Sequence, residues 1–305
     1  MPRYLVTGAA GFIGSAIANR LVGEGHEVVT VDNMSTGHDE NVPEGVLIVK
    51  GDCGDASVYE KIPQERYDAI FHIAGQSSGE ISFDDPIYDV KTNTESTLLL
   101  LKFALKNGCK RFIYAGTMSV YGVQPDRPVT ENDPCTPESF YGVGKMASEH
   151  YMRIYQNYGI DSTSLRLFNV YGPGQNLENL KQGMASIFLA QVLKENKIHV
   201  KGSADRFRDF IYIDDVVEAF VRCLVKQESY NKVINVGTGI KTTVAELVEN
   251  LISNFDSDIL ITYEGQTAGD IHGICPDISK MNALLGTWEK TDLRAGIKKF
   301  VFSCV

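Results

Sequence analysis

The sequence lacks long apolar runs, paired cysteines and clustered histidines. Its longest apolar stretches, such as the one from Leu98 to Leu101, fall far short of the roughly 20 residues that a membrane-spanning helix needs. The six cysteines include no C-x-x-C pair, which favours reduced thiols over a disulfide framework or a zinc site. The six histidines form no H-x-x-x-H or comparable cluster, so we predict no metal.

Positive charge is scarce as well. The chain has 29 Lys and Arg residues against 39 Asp and Glu, for a formal net charge of −10. Because a nucleic-acid surface requires clustered cations, this balance argues against one, and any anionic ligand must be held by a few local cations. The first residues show no charged region followed by an apolar one, as a signal peptide would. We therefore expect a cytoplasmic protein with no membrane partner.

What the sequence does have, in its first half, is an alternation of β-rich runs with helix-period segments. With 305 residues, 43% of them hydrophobic, the chain is long enough for two unequal lobes around a crevice. Segments such as NTESTLLLLKFALKNG separate several of the β-rich runs, which is typical of βαβ units. The runs are YLVTG, EVVTVD, GVLIVKGD, DAIFHIAG, RFIYAGT and STSLRLFNVYG.

This alternation predicts an α/β fold: a Rossmann-type, doubly wound parallel sheet with a smaller mixed α/β substrate-binding lobe. After Gly172 the alternation stops, and a Pro/Gly turn leads into shorter, irregular elements. We place one domain at residues 1–172 and a second at residues 173–305, and we leave open whether their segments interleave.

The stretch TGAAGFIG places Gly8, Gly11 and Gly14 directly after the first predicted strand. Glycines at these points allow a tight turn, a close backbone approach to a pyrophosphate and packing of the next helix, whose N-terminus attracts the anion. Such turns also occur for packing alone. However, Asp32 ends the next strand about 20 residues further on, where a carboxylate accepts hydrogen bonds from a ribose and repels a 2′-phosphate. The sequence therefore predicts NAD rather than NADP. Asp52, at the end of the third strand, fits either an adenine contact or a solvated strand-end cap.

The stretch FYGVGK puts Tyr141 and Lys145 four positions apart, on one face of a helix if Tyr141 opens it. A nearby ammonium lowers the pKa of a phenol from about 10, and the positive nicotinamide ring would add to that effect. Such a tyrosine can act as a general base near neutral pH. The same spacing occurs on many surface helices, so the pair gains weight only from the glycine turn and Asp32. The residues that we place against the cofactor are Gly8, Gly11, Phe12, Ile13, Gly14, Asp32, Asn33, Asp52, Cys53, Tyr141 and Lys145.

Together with AGTMSVYG, these motifs resemble the extended short-chain dehydrogenase/reductase family, and within it the nucleotide-sugar 4-epimerases of the UDP-glucose 4-epimerase type. The resemblance covers nearly the whole chain, and it implies that the first domain binds NAD and the second a nucleotide sugar. Further matching stretches are DNMSTG, HIAGQSS, RLFNVYGPGQ, RFRDFIYIDDV, INVGTG, AGDI and Asn93 at the start of a leucine-rich helix.

The resemblance also implies a role for Thr117, which would hydrogen-bond the sugar hydroxyl that is oxidised. Sugar 4,6-dehydratases of the family place an Asp-Glu pair just after this threonine, and decarboxylating relatives keep a Glu in the second place. This chain has Met118 and Ser119 there, which disfavours dehydration. We interpret Met118 as a packing residue, whereas Ser119 fits either a contact with the sugar or a bond to its own backbone.

In the second domain, the resemblance implies substrate contacts for three residues. Arg208 matches an arginine that contacts the substrate's phosphates, and its guanidinium fork suits that task. Asn169 matches a substrate-contacting asparagine, and Asp270 an acid that binds the nucleotide ribose.

One position departs from the family pattern, because Thr267 stands where a second arginine is usual. Lys181 and Arg206 are candidate substitutes, but the interpretation that we favour for each is a solvated surface charge. Ile274 corresponds to a residue that gates the sugar pocket in the resembled enzymes, and it also fits simple packing.

The predicted activity is the inversion of C4 of a nucleotide-diphosphate sugar, UDP-glucose or UDP-galactose or an N-acetyl or uronate relative, through a 4-keto intermediate with retained NADH. Tyr141, Lys145 and Thr117 are the catalytic candidates, and Thr117, Ser119, Asn169, Arg208 and Asp270 the substrate-binding ones. The alternatives are a reductase or dehydratase of the same family, or a non-catalytic dinucleotide-binding protein. Apolar residues beyond what one sheet face needs, near Asn93 to Asn107 and Val143 to Tyr158, predict a homodimer.

Overall fold

Seven parallel strands form the central sheet of the chain. The computed structural model describes residues 1–181, 183–265 and 271–305. The strands within these ranges are β1 (Arg3–Thr7), β2 (Glu27–Asp32), β3 (Leu47–Lys50), β4 (Ala69–His72), β5 (Arg111–Thr117), β6 (Asp161–Leu167), β7 (Asn169–Tyr171), β8 (Lys197–Lys201), β9 (Phe207–Arg208), β10 (Phe210–Tyr212), β11 (Lys232–Val236), β12 (Thr242–Thr243) and β13 (Leu260–Glu264). The order in the central sheet is β11, β6, β5, β4, β1, β2, β3. This is the predicted Rossmann-like α/β fold, and it confirms the fold class.

Helices cover both faces of the sheet. Within the described ranges they are α1 (Phe12–Gly23), α2 (Val58–Lys61), α3 (Ile81–Asp84), α4 (Pro86–Val90), α5 (Ser96–Lys106), α6 (Phe140–Tyr155), α7 (Met184–Glu195), α8 (Ile213–Val225), α9 (Val244–Ile252), α10 (Ser279–Leu285) and α11 (Leu293–Phe302), with one π-helical turn (Lys91–Glu95) between α4 and α5. None of the helices described is long and apolar enough to cross a membrane.

The core is divided by the sheet, as the alternation of side chains along a strand requires. Along β1, Tyr4 and Val6 pack into the core that includes residues of α1, α7 and α8, whereas Leu5 packs into the core on the opposite face with residues of α5. Because both faces are covered, the strands read as continuous apolar runs, and that is why they could be recognised in the sequence.

The chain reverses its direction across the sheet between β1 and β4. From β1 it moves outward through β2 to β3, then crosses back to β4 on the other side of β1 and continues to β5 and β6. In an open parallel sheet, ligands bind in the crevice outside the carboxyl ends of the strands at such a switch point. The turns after β1, β2, β4 and β5 all meet at this edge.

The run from 162 to 172, which the sequence suggests is one strand, is two strands. The Phe168 amide still donates to the Val236 carbonyl oxygen at 3.1 Å, beside β6, but the Asn169 amide donates to the Asp209 carbonyl oxygen at 3.1 Å. The chain thus leaves the central sheet at Phe168, and β7 pairs with β10 in a separate two-stranded sheet. The change of partner depends on contacts with distant residues, which the local β propensity does not contain.

The second half of the chain adds two more small sheets, β9 with β12 and β8 with β13, and helices that pack beside them. It also supplies β11, which pairs with β6 and extends the central sheet. The segments that follow residue 172 therefore contribute both to the small sheets and to the large one.

Candidate active site

The turn between β1 and α1 is tightly packed around its glycines. Gly8 has φ of 72°, and a Cβ added to it would lie 2.7 Å from the Ala74 amide nitrogen. A Cβ on Gly14 would collide with the Gly8 carbonyl oxygen. Side chains are thus excluded where the turn approaches the sheet edge, and α1 begins directly after Gly11, so its first amides face outward. This cradle suits a pyrophosphate at a helix N-terminus.

A cavity of about 670 Å³ opens beside this turn. That volume is in the range of cofactor pockets, which is about 300–1,000 Å³. All the cofactor candidates that follow β1, β2 and β3 line it: Gly8, Gly11, Phe12, Ile13, Gly14, Asp32, Asn33, Asp52 and Cys53. The cradle and its acceptor groups therefore fit a dinucleotide.

Asp32 is buried at the end of β2. One carboxylate oxygen accepts from the Ala10 amide at 2.9 Å and the other from the Met34 amide at 2.8 Å. These bonds fix the carboxylate beside the glycine turn. Since a carboxylate has about four lone-pair positions, the two remaining ones can accept ribose hydroxyls.

Asp52 is held by its own surroundings. Its carboxylate accepts from Asn33 Nδ2 at 2.8 Å and from the Gly54 amide at 2.7 Å. The two interpretations of Asp52 are thus compatible, because the residue both organises the loop and lines the cavity. The neighbouring Cys53 is buried, and burial raises the pKa of its thiol, so it presents a neutral wall.

Helix α6 begins at Phe140, and the Ser139 side chain caps it by accepting from the Gly142 amide at 3.1 Å. Tyr141 is therefore in the first turn and Lys145 one turn on, as the spacing predicts. The ammonium of Lys145 lies 5.9 Å from the centroid of the Tyr141 ring. It donates to the Ala115 carbonyl oxygen at 3.1 Å, which ties it to β5.

Burial dominates the protonation of this pair. The pKa of Tyr141 is raised to about 12 by burial, while a hydrogen bond from the Thr117 side chain lowers it and Asp89 raises it. The pKa of Lys145 is lowered to about 8, again by burial first, while Asp89 and Glu149 raise it. The protein's own groups therefore do not bring the phenol toward neutral pH, because burial outweighs them; the predicted lowering also counted on the positive nicotinamide ring.

Thr117 is the last residue of β5 and is buried. Its hydroxyl accepts from the Ser119 amide at 3.1 Å and starts the short turn Met118–Val120. The Met118 sulfur lies 3.8 Å from Asn169 Nδ2. The structure thus brings Thr117 and Tyr141 together, with Met118 and Ser119 beside them.

A second cavity, of about 540 Å³, adjoins the first, and Ser77 lines both. Met118, Ser119 and Asn169 line it near Thr117, and Lys201, Arg206 and Arg208 line it elsewhere. Predicted contacts from both domains therefore share this cavity. Asp270 and Thr267, with their expected roles at the nucleotide, lie outside the described residues.

Arg208 is almost fully buried. Its guanidinium donates to the Ile271 carbonyl oxygen at 2.8 Å and to the His272 carbonyl oxygen at 3.2 Å. The pKa of Arg208 is lowered to about 10, by burial and then by the positive charge of Arg206. Arg206 and Arg208 repel each other in this cavity, and an anion such as a diphosphate would stabilise both positive charges.

Ile274, Lys181 and Arg206 are the residues for which the sequence analysis gave two interpretations. Ile274 is buried in a cluster with Val120, Tyr121, Val129 and Phe168, as the packing interpretation holds. Lys181 lines the second cavity and forms an ion pair with Asp84 at 3.0 Å. Of the two candidate substitutes, Arg206 is the one whose charge acts on Arg208, because it lowers the pKa of Arg208.

Asp209 is a residue of this region that the sequence analysis missed. It is fully buried, and its carboxylate accepts from the amides of Thr238, Gly239 and Ile240. These bonds hold the loop after β11 next to Arg208. An acid inside the β-rich run RFRDFIYI was a signal for such a role, because a buried carboxylate needs several donors.

The model of the NAD dependent epimerase/dehydratase family matches residues 4–237 of the chain. Among curated proteins, the UDP-glucose 4-epimerase of Mycolicibacterium smegmatis is 34% identical over 306 residues, which cover 98% of this chain and 97% of that protein. The UDP-glucuronic acid decarboxylase 1 of Arabidopsis thaliana is 32% identical over 305 residues, covering 98% of this chain and 69% of that protein.

The fold is also similar to a solved structure. The UDP-glucose 4-epimerase of Thermotoga maritima, solved with UDP-glucose, superposes with a TM-score of 0.93 at 34% identity, covering 99% of this chain and 98% of that one. Both the sequence and the three-dimensional similarity therefore extend over the two halves of the chain and are not confined to the dinucleotide-binding part.

Proposed function

Since the chain belongs to the NAD dependent epimerase/dehydratase family, we propose that it inverts C4 of a UDP-sugar: UDP-glucose or UDP-galactose, or an N-acetyl or uronate relative. The observation that carries the proposal is the buried grouping of Tyr141, Lys145 and Thr117, next to cavity-lining residues Met118 and Ser119, neither of which is a carboxylate. The enzyme uses the family's cofactor, NAD.

In this proposal Tyr141 takes the proton from the sugar's 4-hydroxyl. Thr117 hydrogen-bonds the same oxygen and keeps it against the phenol. Bound NAD would supply the hydride chemistry at C4, and the glycine turn with Asp32 would hold it. Lys145 holds the nicotinamide ribose and stabilises the phenolate. After the 4-keto sugar has turned in the pocket, Tyr141 returns the proton to O4, so the protein ends unchanged.

The raised pKa of Tyr141 gives this step a condition. Because burial favours the neutral phenol, the proton is taken only when positive charge next to the ring stabilises the phenolate. The Lys145 ammonium supplies part of that charge, and the oxidised nicotinamide ring of bound NAD would add to it. Tyr141 would therefore act as a base only when NAD is bound.

The diphosphate of the substrate would bind at the cationic side of the second cavity. Arg208 and Arg206 lie there, and burial lowers the pKa of each guanidinium. Anchoring the nucleotide at this end leaves the sugar free to rotate near Thr117. That rotation is what presents both faces of the ring to one hydride position.

The absence of an acid beside Thr117 supports epimerisation over the other reactions of relatives. Expulsion of water or of carbon dioxide from a 4-keto sugar calls for an acid or base next to the reacting carbons. The two positions that follow Thr117 are Met118, whose sulfur contacts Asn169, and Ser119, whose amide bonds Thr117. Neither side chain titrates near neutral pH.

The direct test is to incubate the purified protein, with no NAD added, with UDP-glucose, UDP-galactose and their N-acetyl and uronate forms. We expect one C4 epimer pair to interconvert, because the cofactor is regenerated in each turnover and stays bound. A reductase would require added reduced cofactor, and a dinucleotide sensor would bind NAD without turnover. If none of the sugars is epimerised, the proposed reaction is wrong.

We also propose a homodimer, formed through α4 and α6. Their outward surface carries exposed apolar side chains, with Ile87 72%, Val90 48% and Val143 49% exposed. Such a patch is larger than scattered single residues and is typical of a subunit interface. The division at residue 172 into an NAD-binding and a nucleotide-sugar-binding domain, and the cytoplasmic location, stay predictions.

A further inference from the structure

Behind the Tyr141 and Lys145 pair lies a carboxylate that the proposed reaction does not use. Asp89 is in α4 and is fully buried. One of its oxygens accepts from Gln76 Nε2 at 3.0 Å and from Asn93 Nδ2 at 3.1 Å. The other oxygen, Oδ1, has no hydrogen-bond partner among the described residues. A buried carboxylate held only by neutral amides is costly, so a nearby positive charge is expected to accompany it.

That positive charge is Lys145. A Cβ added to Gly144 would lie 3.4 Å from Asp89 Oδ1, and one added to Gly75 would lie 3.4 Å from Lys145 Nζ and collide with Asn93 Oδ1. The glycines at 75 and 144 therefore leave room for Asp89, Asn93 and Lys145 to share one buried space. Asp89 and Lys145 each shift the other's pKa toward the charged form.

Asn93 is hydrogen-bonded to Asp89 and borders the same glycine as Lys145. It lies in the π-helical turn between α4 and α5, and such turns are frequent at functional sites. Its Nδ2 donates to Asp89 and to the Gln76 carbonyl oxygen at 2.9 Å. Both amide hydrogens are used, whereas Oδ1 has no hydrogen-bond partner among the described residues; it borders Gly75, as the Lys145 ammonium does.

The other titratable groups around Lys145 are already balanced or neutral. Glu149 of α6 has its own cation, Arg166 of β6, at 2.7 Å. His72 of β4 has its pKa lowered to about 3 by burial and then by Lys145, so it is neutral. Tyr114 of β5 lies under the ammonium, 4.7 Å from ring centroid to Nζ, and burial raises the pKa of its phenol.

We propose that Asp89 is a positioning residue of the active site, which fixes the amide of Asn93 and holds Lys145 in its ammonium form. The inference rests on the proposed function, in which that ammonium stabilises the Tyr141 phenolate. The negative charge of Asp89 favours the protonated forms of both Lys145 and Tyr141. Its removal therefore makes both groups lose their protons at lower pH.

The test reads the protonation of Lys145 directly. Protein labelled with ¹³C at the lysine ε-carbons is titrated by NMR, and the Lys145 signal is assigned by its loss in Lys145→Arg. In Asp89→Asn we expect the pKa of Lys145 to fall by about one pH unit or more. Asp215→Asn is the matched control: Asp215 is also a buried carboxylate, bonded to Trp288 and Thr291, and its replacement should leave the Lys145 signal unmoved. An unmoved signal in Asp89→Asn would overturn the proposal.

A second readout separates a positioning role from a structural one. Both limbs of the pH profile of kcat should move to lower pH in Asp89→Asn and return in Asp89→Glu, which a loss of folded protein would not produce. If Asp89→Asn does not fold, the reciprocal measurement applies. The carboxyl ¹³C signal of Asp89 should titrate at higher pH in Lys145→Met than in the wild type, and an equal pKa in the two proteins would overturn the inference.

The NMR titrations need no turnover, so the two proposals fail differently. A wild-type protein that epimerises no sugar but shows the shifted Lys145 signal would contradict the proposed function alone. If the wild type is active but the Lys145 pKa is the same in Asp89→Asn, only the proposed role of Asp89 is contradicted.

Discussion

At the scale of single residues, the sequence predicted which side chains meet but not how burial changes them. The spacing of Tyr141 and Lys145 places them on one helix face, and the structure has them there. Their burial, which sets the pKa of Tyr141 at about 12 and that of Lys145 at about 8, depends on the strands and helices around them. No motif in the sequence singles out Asp89, whose charge acts on both groups. Desolvation is a property of the packed protein, and no local pattern reports it.

Replacement of Tyr141 by Phe should remove the proton transfer and spare the fold. The variant keeps the buried ring, so we expect kcat to fall by about 10²–10⁴-fold while NAD binding and the melting temperature change little. Turnover and bound cofactor are measured on the same preparation. Tyr158→Phe is the control, because Tyr158 is 61% exposed just beyond α6 and should retain full activity. Equal turnover by Tyr141→Phe and the wild type would contradict the role of the phenol.

Replacement of Lys145 by Met should stabilise the protein at neutral pH while it abolishes turnover. The folded pKa of about 8 lies below the ordinary 10.5, so the unfolded chain binds the extra proton between these values. At pH 7 the buried ammonium lowers the free energy of unfolding by about 3 kcal/mol, because each pH unit between the two pKa values corresponds to about 1.36 kcal/mol.

The direction of the pH dependence of stability follows from proton binding, since the unfolded chain holds the proton to higher pH. Wild-type stability should rise with pH from about 8 to 10.5, so the advantage of Lys145→Met is largest at pH 7 and vanishes near pH 10.5. Urea unfolding of both proteins across this range measures it. An advantage that does not change with pH would mean that the ammonium is not the source of the cost.

At the scale of elements, turns with a sequence signature were predictable and changes of strand partner were not. The glycine turn before α1 could be recognised because position 8 packs against the Ala74 backbone, where there is no room for a Cβ. In contrast, the run that ends β6 continues into β7 with no change in composition, and its partner β10 is about 40 residues away. The loop held by Asp209 likewise depends on residues that meet only in the folded chain.

The glycine turn gives a prediction with an internal control on the same helix. Gly14→Ala would force a Cβ into the Gly8 carbonyl, so we expect loss of NAD binding by at least tenfold and a lower melting temperature. A Cβ on Gly23, the last residue of α1, meets nothing within 4 Å, and Gly23→Ala should bind NAD like the wild type. Calorimetric titration with NAD, after bound cofactor has been removed from each protein, compares them. Wild-type affinity in Gly14→Ala would show that the turn does not contact the cofactor.

At the scale of the whole molecule, the fold class followed from the alternation of buried strands and helices, whereas the assembly of the second half did not. β11 adds to the central sheet although some 60 residues separate it from β6. The sequence predicts the dimer surface on residues 93–107 and 143–158, which include most of α6 but not α4; the exposed residues of α4 were missed, because a helix that is apolar on two sides can bury both against its own chain.

This surface predicts the oligomeric state. Val143→Asp in α6 should shift the protein from dimer to monomer, because it places a charge in the middle of the apolar patch. Val225→Asp is the control, since Val225 is 74% exposed at the end of α8, away from the patch. Light scattering after size-exclusion chromatography gives the mass of each. A wild-type protein that elutes as a monomer at micromolar concentration would contradict the proposed interface.

The central claim is a redox-neutral inversion at C4, and the fate of the C4 hydrogen tests it most directly. UDP-glucose, UDP-N-acetylglucosamine and UDP-glucuronate carrying deuterium at C4 are incubated with the purified protein, without added NAD, in ordinary water. We predict that one of them yields its C4 epimer with the deuterium still at C4, because the hydride never leaves the site. Loss of the deuterium to solvent, a 4-keto-6-deoxy or decarboxylated product, or no product from any of the three would contradict the claim.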